Sequence, residues 1–272
     1  MVTATISAPR RTRRPRALRP ALLGVAGILG FLVTWQLLPT LGLVNPAYFP
    51  TATATLAELG QQLRDLQFWR NVGYTMTAWG LGLLIATVLA TVLGTIIGLV
   101  PFLRRATHTT VEFLRPIPSV ALIPLVVLLY GLQLRSALVV IVFASFWQVF
   151  IQVLYGVADV DSVARDTARS FGLSRRSRII NLVFPTALPY LMTGLRLAAT
   201  VALILAVTAE MFIGNPGIGR EIVFAQSGAR WTTVYALVIV TGLLGLAINL
   251  VFRAIERRTL HWHQSVRGDE VL

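Results

Sequence analysis

A charged stretch lies between two apolar runs of this chain. It extends from Asp166 to Pro185 and reads DTARSFGLSRRSRIINLVFP. It carries four arginines, an aspartate, a glycine and a closing proline. The chain contains no cluster of carboxylates, histidines and a nucleophile at one depth, which catalysis would need. The sequence therefore predicts that this stretch docks against something and that the chain is not an enzyme.

Several chemistries are excluded by residues that are missing. All 24 basic residues are arginine, so neither the lysine of a phosphate-binding P-loop nor that of a Schiff-base enzyme is available. No cysteine is present, which excludes disulfides and thiolate metal sites. His261 and His263 flank Trp262, and two histidines two residues apart do not share a helix face. We expect no metal site and no cofactor held by this chain.

Charges at membrane depth are confined to Arg196, near the start of one apolar run, and Glu210, at its other end. They lie about 21 Å apart along a helix and cannot pair within it. The plainer interpretation is two boundary charges that reach water at the interfaces. The alternative is a solute pathway in which Arg196 meets an anion at the inner end and Glu210 shapes the outer gate. Neither interpretation supplies a proton relay.

The composition, 56% hydrophobic and 13% charged, is typical of a membrane protein. Crossing about 30 Å of hydrocarbon takes roughly 17–25 apolar residues. The sequence predicts an all-α, polytopic fold with six spans: Ala21–Leu38, Thr75–Val100, Ile117–Leu134, Ala137–Leu154, Leu191–Ala209 and Val234–Phe252. The third and fourth spans form a tight hairpin, and Pro118 and Ser119 are candidates for a break of the third helix beside a pathway. An amphipathic external helix is expected from Thr51 to Arg70.

The arginines set the orientation. With the N-terminus inside, 18 of the 24 lie on the cytoplasmic side. Only Arg64, Arg70, Arg135, Arg220 and Arg230 fall outside, and Arg196 lies within a span. By the positive-inside rule both termini are cytoplasmic. We divide the chain into a basic arm (1–20), a six-helix domain (21–260) with a long cytoplasmic loop (155–188), and a tail (261–272). The arm, RRTRRPRALRP, is a topology anchor rather than a nucleic-acid arm or a cleaved signal.

Small residues recur every four positions in the second span, at Gly82, Ala86, Ala90, Gly94 and Gly98. Helices in lipid associate by close packing, so this stripe predicts a tight helix contact with an unassigned partner.

The cytoplasmic loop reads as two short helices joined by a turn. Asp159 or Asp161 can cap the first helix, whose apolar side has helical spacing. Gly172 stands where a left-handed cap belongs. Ser174 can cap the second helix, which Pro185 closes. The apolar residues of the first helix are Val160, Val163, Ala164, Thr167, Ala168 and Phe171. A face this narrow is suited to a groove on a partner.

This loop resembles the EAA loop of permease subunits of ABC importers. The family pattern is Glu-Ala-Ala, three residues, Gly, nine residues, then an aliphatic, one residue, and an aliphatic followed by Pro. Here Asp166-Thr167-Ala168 is followed by Gly172 and by Leu182-Val183-Phe184-Pro185 at the same spacing. Three residues depart slightly from the pattern: Asp166 replaces Glu, Thr167 replaces the first Ala, and Phe184 replaces an aliphatic residue. Other segments resemble the branch of this family that carries sulfonates, taurine and nitrate. They are FLRPIPSVALIPLVVLLYG, GLRLA, TAEM, GNPGIG and ERRTLHW.

The resemblance implies a type I importer permease fold in the bacterial inner membrane, with the loop in a cleft of a cytoplasmic ATPase subunit. The implied partners are two ATPase subunits that bind the ATP and Mg, a second permease subunit forming a homodimer, and an extracytoplasmic solute-binding protein. The implied ATPase interface is Asp166, Thr167, Ala168, Phe171, Gly172, Arg175, Arg176 and Arg178.

Two alternatives stay open. An ion channel or gradient-driven carrier predicts function without an ATPase, and coupling charges in the spans that are missing here. A membrane-embedded enzyme would need a catalytic cluster.

Overall fold

A computed structural model describes residues 18–260, and all their regular structure is helical. The helices are α1 (Leu18–Thr40), α2 (Ala52–Gln62), α3 (Leu66–Leu99), α4 (Pro101–Leu114), α5 (Ile123–Tyr130), α6 (Leu134–Ala158), α7 (Ser162–Ser170), α8 (Arg175–Arg178), α9 (Phe184–Ile213), α10 (Ile218–Ser227) and α11 (Trp231–Thr259). A 3₁₀ turn, Ser119–Leu122, precedes α5, and a π-helical turn, Ile179–Val183, joins α8 to α9. The basic arm to residue 17 and the tail from residue 261 lie outside the described residues.

Five continuous helical segments are long and apolar enough to cross a membrane: α1, α3, α6, the run from α8 through α9, and α11. A sixth crossing is formed if α4 and the segment Ser119–Tyr130 count as one span, although they are bent by 83°. The expected all-α, polytopic architecture is confirmed.

The third span is not the continuous helix predicted from Ile117 to Leu134. The chain first forms α4, a helix that lies outside the six predicted spans, and then bends before α5. Pro116 and Pro118 have no N–H to continue the helical ladder, and Pro118 has an extended backbone. The prolines therefore turn the chain instead of opening a straight span.

Two other helix boundaries differ from the prediction. The external helix α2 ends at Gln62 instead of Arg70. The next helix, α3, begins at Leu66, well before Thr75, because the Asp65 carboxylate caps it by accepting from Gln67 N at 2.9 Å.

Pro185 does not close the helix that follows Ser174. In the widened π turn, Phe184 N donates to the carbonyl of Ile179, five residues back. Pro185 then lies in the first turn of α9. The π turn has already interrupted the regular series of helical hydrogen bonds there, so the N–H that proline lacks is not needed. The chain consequently runs as one helical rod from Arg175 to Ile213.

The core is formed by α3, α6 and α9, in which α6 contacts both other helices and Trp79 of α3 donates to the carbonyl of Ala199 on α9 at 2.8 Å. The small-residue stripe on α3 faces α6. A side-chain carbon at Gly82 would overlap Ile141, and at Gly94 or Gly98 it would lie 2.9 Å from a valine of α6. Ala86 and Ala90 are fully buried. The predicted tight contact is confirmed, and its partner is α6.

A second face of α6 meets α9 in the same way. A carbon added at Gly156 would lie 2.8 Å from the Cα of Ala187, and one at Gly194 would lie 3.0–3.1 Å from backbone and side-chain atoms of Gln148, Val149 and Gln152. Glycine on both sides of α6 thus lets three backbones approach closely, which replaces the hydrophobic drive that lipid does not supply.

The first helix, α1, is attached near its C-terminal end. Trp35 Nε1 donates to the carbonyl of Pro50 at 3.0 Å, and its ring lies 6.2 Å from that of Tyr235 on α11. The end of α1 and the start of α11 therefore lie on the same side of the bundle.

Replacing Gly82 by Ala should destabilise the fold by about 1–3 kcal/mol, because the new methyl group meets the branched Cβ of Ile141, which cannot move away by changing rotamer. Gly80 is the matched control: it lies on the same helix, and a methyl group there meets nothing within 4 Å. Gly80→Ala should be neutral or slightly stabilising because alanine favours helix. Thermal unfolding in detergent measures both, and equal shifts would contradict the packing.

Candidate functional site

The loop between α6 and α9 forms a bracket, defined here as Asp159 to Val183. The start of the bracket is bonded to α9: Tyr190 of that helix donates its hydroxyl proton to Asp159 Oδ2 at 3.0 Å. Arg165 adds a long bond of 3.5 Å to the carbonyl of Val157, near the end of α6. The bracket is thereby joined to both core helices that it connects.

The first bracket helix, α7, has both ends fixed. The Asp161 carboxylate accepts from Ala164 N at 3.0 Å, which confirms it as the N-cap. At the other end, Leu173 N donates to Ala168 O at 3.0 Å and Gly172 N to Arg169 O at 2.9 Å, the bond pattern of a Schellman motif.

Gly172 has φ +67°, the left-handed conformation predicted from the sequence. A glycine adopts it without strain, whereas a side chain resists it. Ser174 then begins the second helix, since its hydroxyl accepts from Ser177 N at 3.2 Å. The turn therefore fixes the angle at which α7 meets the rod that continues into the membrane.

The apolar residues of α7 divide into two stripes instead of forming the single face predicted. Val160 is buried, and Ala164 and Ala168 are half-buried. This inward stripe is covered in part by the rest of the chain.

The outward stripe is exposed. Val163 is 72% exposed, Phe171 is 80% exposed, and Thr167 lies between them at helical spacing. Large apolar side chains at this exposure, on a helix with fixed ends, form a surface with no partner in the described chain.

The predicted interface residues follow this division. Most are exposed, namely Asp166, Thr167, Phe171, Gly172, Arg175 and Arg176, while Ala168 and Arg178 are half-buried. Asp166 forms an exposed ion pair with Arg169 at 3.3 Å, which contributes little stability in water.

Arg196, one of the pathway candidates, is engaged in an ion pair. Its guanidinium donates to Glu256 Oε2 on α11 at 3.2 Å. The pair ties α9 to α11, and the sequence analysis missed Glu256 because it lies 60 residues away among arginines.

Glu210 is not a boundary charge that reaches water, as the plainer interpretation held. It is 2% exposed. Its Oε2 accepts from Gly219 N at 2.9 Å and from the Thr75 hydroxyl at 3.0 Å, and that hydroxyl accepts from Ile218 N at 3.0 Å. Any side chain at Gly217 would overlap the carboxyl group. The GNPGIG turn is thus folded around Glu210 and tied to α3.

The remaining pathway candidates, Pro118 and Ser119, lie at the bend before α5. The contacts of Arg196, Glu210 and this bend are separate, so the described residues do not join the four candidates in one site. Thr75 was missed by the sequence analysis, and its only signal was a hydroxyl at the start of a long apolar run.

No group of three metal-ligating side chains comes together within residues 18–260. The histidines at 261 and 263 lie outside that range.

Comparison with known proteins gives a consistent result over most of the chain. Residues 90–261 match the family described as the binding-protein-dependent transport system inner membrane component. The chain is 29% identical over 254 residues to the Escherichia coli taurine transport system permease protein TauC, covering 92% of each. It is 28% identical to the putative aliphatic sulfonates transport permease protein SsuC of E. coli, covering 86% of this chain and 89% of SsuC.

A bicarbonate transport system permease protein, CmpB of Synechococcus elongatus, is also 28% identical, covering 87% of this chain and 88% of CmpB. Among solved structures, a bacterial ABC transporter involved in alginate import superposes with a TM-score of 0.63 at 19% identity, covering 89% of this chain and 97% of that one. That similarity concerns the fold.

Replacing Thr75 by Val should destabilise the protein by about 1–3 kcal/mol, because the buried Ile218 N–H loses its acceptor and Glu210 loses a donor. Thr77→Val is the control. Thr77 lies two residues further along α3 and is exposed. Its hydroxyl bonds only to the carbonyl of Gly73 in the same helix. Unfolding midpoints in detergent should fall for the first variant and not for the second. Equal midpoints would show that the cluster does not hold the turn.

Proposed function

We propose that this chain, which belongs to the family of binding-protein-dependent transport system inner membrane components, forms the solute pathway of an ATP-driven importer and receives the motion of a cytoplasmic ATPase through its bracket. Its relatives are permease subunits of transport systems and not enzymes. The chain itself has no lysine for a nucleotide-binding P-loop, so the energy has to come from another chain.

The observation that carries the proposal is the outward stripe of α7. Val163 and Phe171 expose large apolar surface on a helix whose two ends are fixed by Asp161 and Gly172. Such a helix fits a groove on a partner protein, where its apolar side chains leave water. The residues around it, from Asp166 to Pro185, have the EAA-loop spacing, which in ABC importers marks the contact with the ATPase.

The bracket is suited to passing on movement. Tyr190 ties the start of the bracket to α9, and the rod from Arg175 continues through the π turn to Ile213. When two ATPase subunits close on ATP, the brackets of two permease subunits approach each other and the attached helices rock. The pathway then opens outward to receive solute from the binding protein, and hydrolysis returns it to the inward-facing state. This is alternating access by rigid bundles.

The bracket side is assigned to the cytoplasm of a bacterial inner membrane. Two observations support this assignment: most arginines among residues 18–260 lie on that side, as the positive-inside rule requires, and the family consists of inner membrane components. Because the end of α1 and the start of α11 lie together on the opposite side, both termini of the described chain point to the cytoplasm. The second permease subunit is proposed to be a copy of this chain.

The proposed solute is a small, anionic compound, because the relatives are named for taurine, aliphatic sulfonates and bicarbonate. Pro118 and Ser119 are proposed to bend the third span beside the pathway. Glu210 shapes the outer gate through the turn that encloses it. Arg196 meets the anion only if its pair with Glu256 opens, and anion flux unchanged in Arg196→Ala would remove it from the pathway.

Replacing Gly172 by Val should leave the protein inserted while abolishing solute uptake, with ATP hydrolysis by the assembled complex retained. A branched side chain at φ +67° costs on the order of 1–3 kcal/mol, so the angle between α7 and the rod changes. Uptake and hydrolysis are measured together in proteoliposomes that contain the ATPase and the binding protein.

The control is Gly42→Val. Gly42 has φ +72° and empty surroundings like Gly172, but it follows α1 on the opposite side of the bundle. Normal uptake by the Gly172 variant would argue against the docking role. Uptake by the wild-type chain without any ATPase would favour a channel or a gradient-driven carrier.

A further inference from the structure

Four arginines of the bracket line one cavity of about 210 Å³, named here the arginine pocket. Its basic side chains are Arg165, Arg169, Arg175 and Arg178, and its apolar lining is Leu99, Ile179, Leu182 and Val183. The sequence analysis assigned Arg175 and Arg178 to the ATPase interface. The structure brings them together with Arg165, from the inward side of α7, around a half-open cavity.

No carboxylate is among the residues that line the arginine pocket. Asp166 pairs with Arg169 at 3.3 Å, but both side chains are more than 60% exposed, so water screens this pair. Four positive groups around one cavity attract an anion, and water screens their exposed members as it screens the pair. The pocket therefore favours a negatively charged ligand.

Donors in the pocket are left unused. Within the described chain, Arg178 Nε is buried and has no hydrogen-bond partner. Arg165 makes only a long bond of 3.5 Å to a carbonyl. A buried donor that bonds to nothing costs free energy, and guanidinium groups satisfy phosphate oxygens with paired N–H donors.

The position of the pocket indicates what fills it. Leu99 is the last residue of α3, and Val183 immediately precedes α9, so the apolar side of the pocket is the bracket-side end of two spanning helices. In a membrane-spanning chain, lipid headgroups lie around the ends of the spanning helices. The outward stripe, which we assign to the ATPase, starts from Val163, a residue that does not line the pocket.

We propose that the arginine pocket binds a phosphate group, supplied by the headgroup of an anionic phospholipid of the inner leaflet or by free phosphate. The bound group holds α7 and α8 together from the membrane side. The proposal needs no ATPase and stands independently of the proposed function, so each can fail alone.

The test uses the full chain purified in detergent without its ATPase. Binding of phosphatidylglycerol, with phosphatidylcholine as the neutral comparison, is followed by native mass spectrometry, and binding of inorganic phosphate by calorimetry. Arg165→Gln combined with Arg178→Gln should weaken phosphatidylglycerol binding by about tenfold or more, since charged hydrogen bonds are lost. Arg175→Gln alone changes an exposed position and should keep the fold. A loss of binding in this variant therefore cannot be attributed to unfolding.

The control is Arg104→Gln with Arg105→Gln, which removes the same charge from α4, where both side chains are exposed. Selective loss of phosphatidylglycerol in the pocket variants supports a lipid source. Selective loss of inorganic phosphate, with the two lipids bound equally by all variants, supports a free phosphate. Equal losses in control and pocket variants, or no loss, overturn the proposal.

Discussion

Close packing of α6 against α3 and α9 is the constraint on which the rest of this structure depends. The hydrophobic effect does not drive helices together in lipid, so their association depends on close packing of complementary surfaces. Glycine supplies that fit on both sides of α6, at Gly82 and Gly94 towards it from α3 and at Gly156 and Gly194 along its contact with α9. Because the bracket connects α6 to α9, its position is set by the two most tightly packed helices of the bundle.

The polar contacts act within that frame. At the bracket end, Asp159 and Tyr190 join the two helices that the bracket connects. At the opposite end, Glu210 holds the turn after α9 against Thr75 of α3. Polar groups in a membrane protein are expensive unless they are paired, so each pair ties specific elements together. A force applied to the bracket would therefore act on whole helices and not on a loose loop, as the proposed coupling to an ATPase requires.

Local features were predictable from the sequence, and features that join distant residues were not. The cap at Asp161, the left-handed turn at Gly172 and the existence of long apolar helices all follow from neighbouring residues, and the structure confirms them. The family resemblance read from the loop is confirmed by the match over residues 90–261. The burial of Glu210 depends on a residue 135 positions away, and the helix through Pro185 depends on a π turn, so spacing alone gave the wrong answer for both.

The central claim is that the outward stripe of α7 is covered by an ATPase. The chain contains no cysteine, so a single one introduced at Val163 reports directly on that surface. Its rate of maleimide labelling would be compared with that of a cysteine at Tyr48, which is similarly exposed on the opposite side. Adding the ATPase subunit should slow labelling at 163 at least about tenfold and leave 48 unchanged, because docking removes water from the stripe. Unchanged labelling at 163 in a complex that hydrolyses ATP would contradict the account.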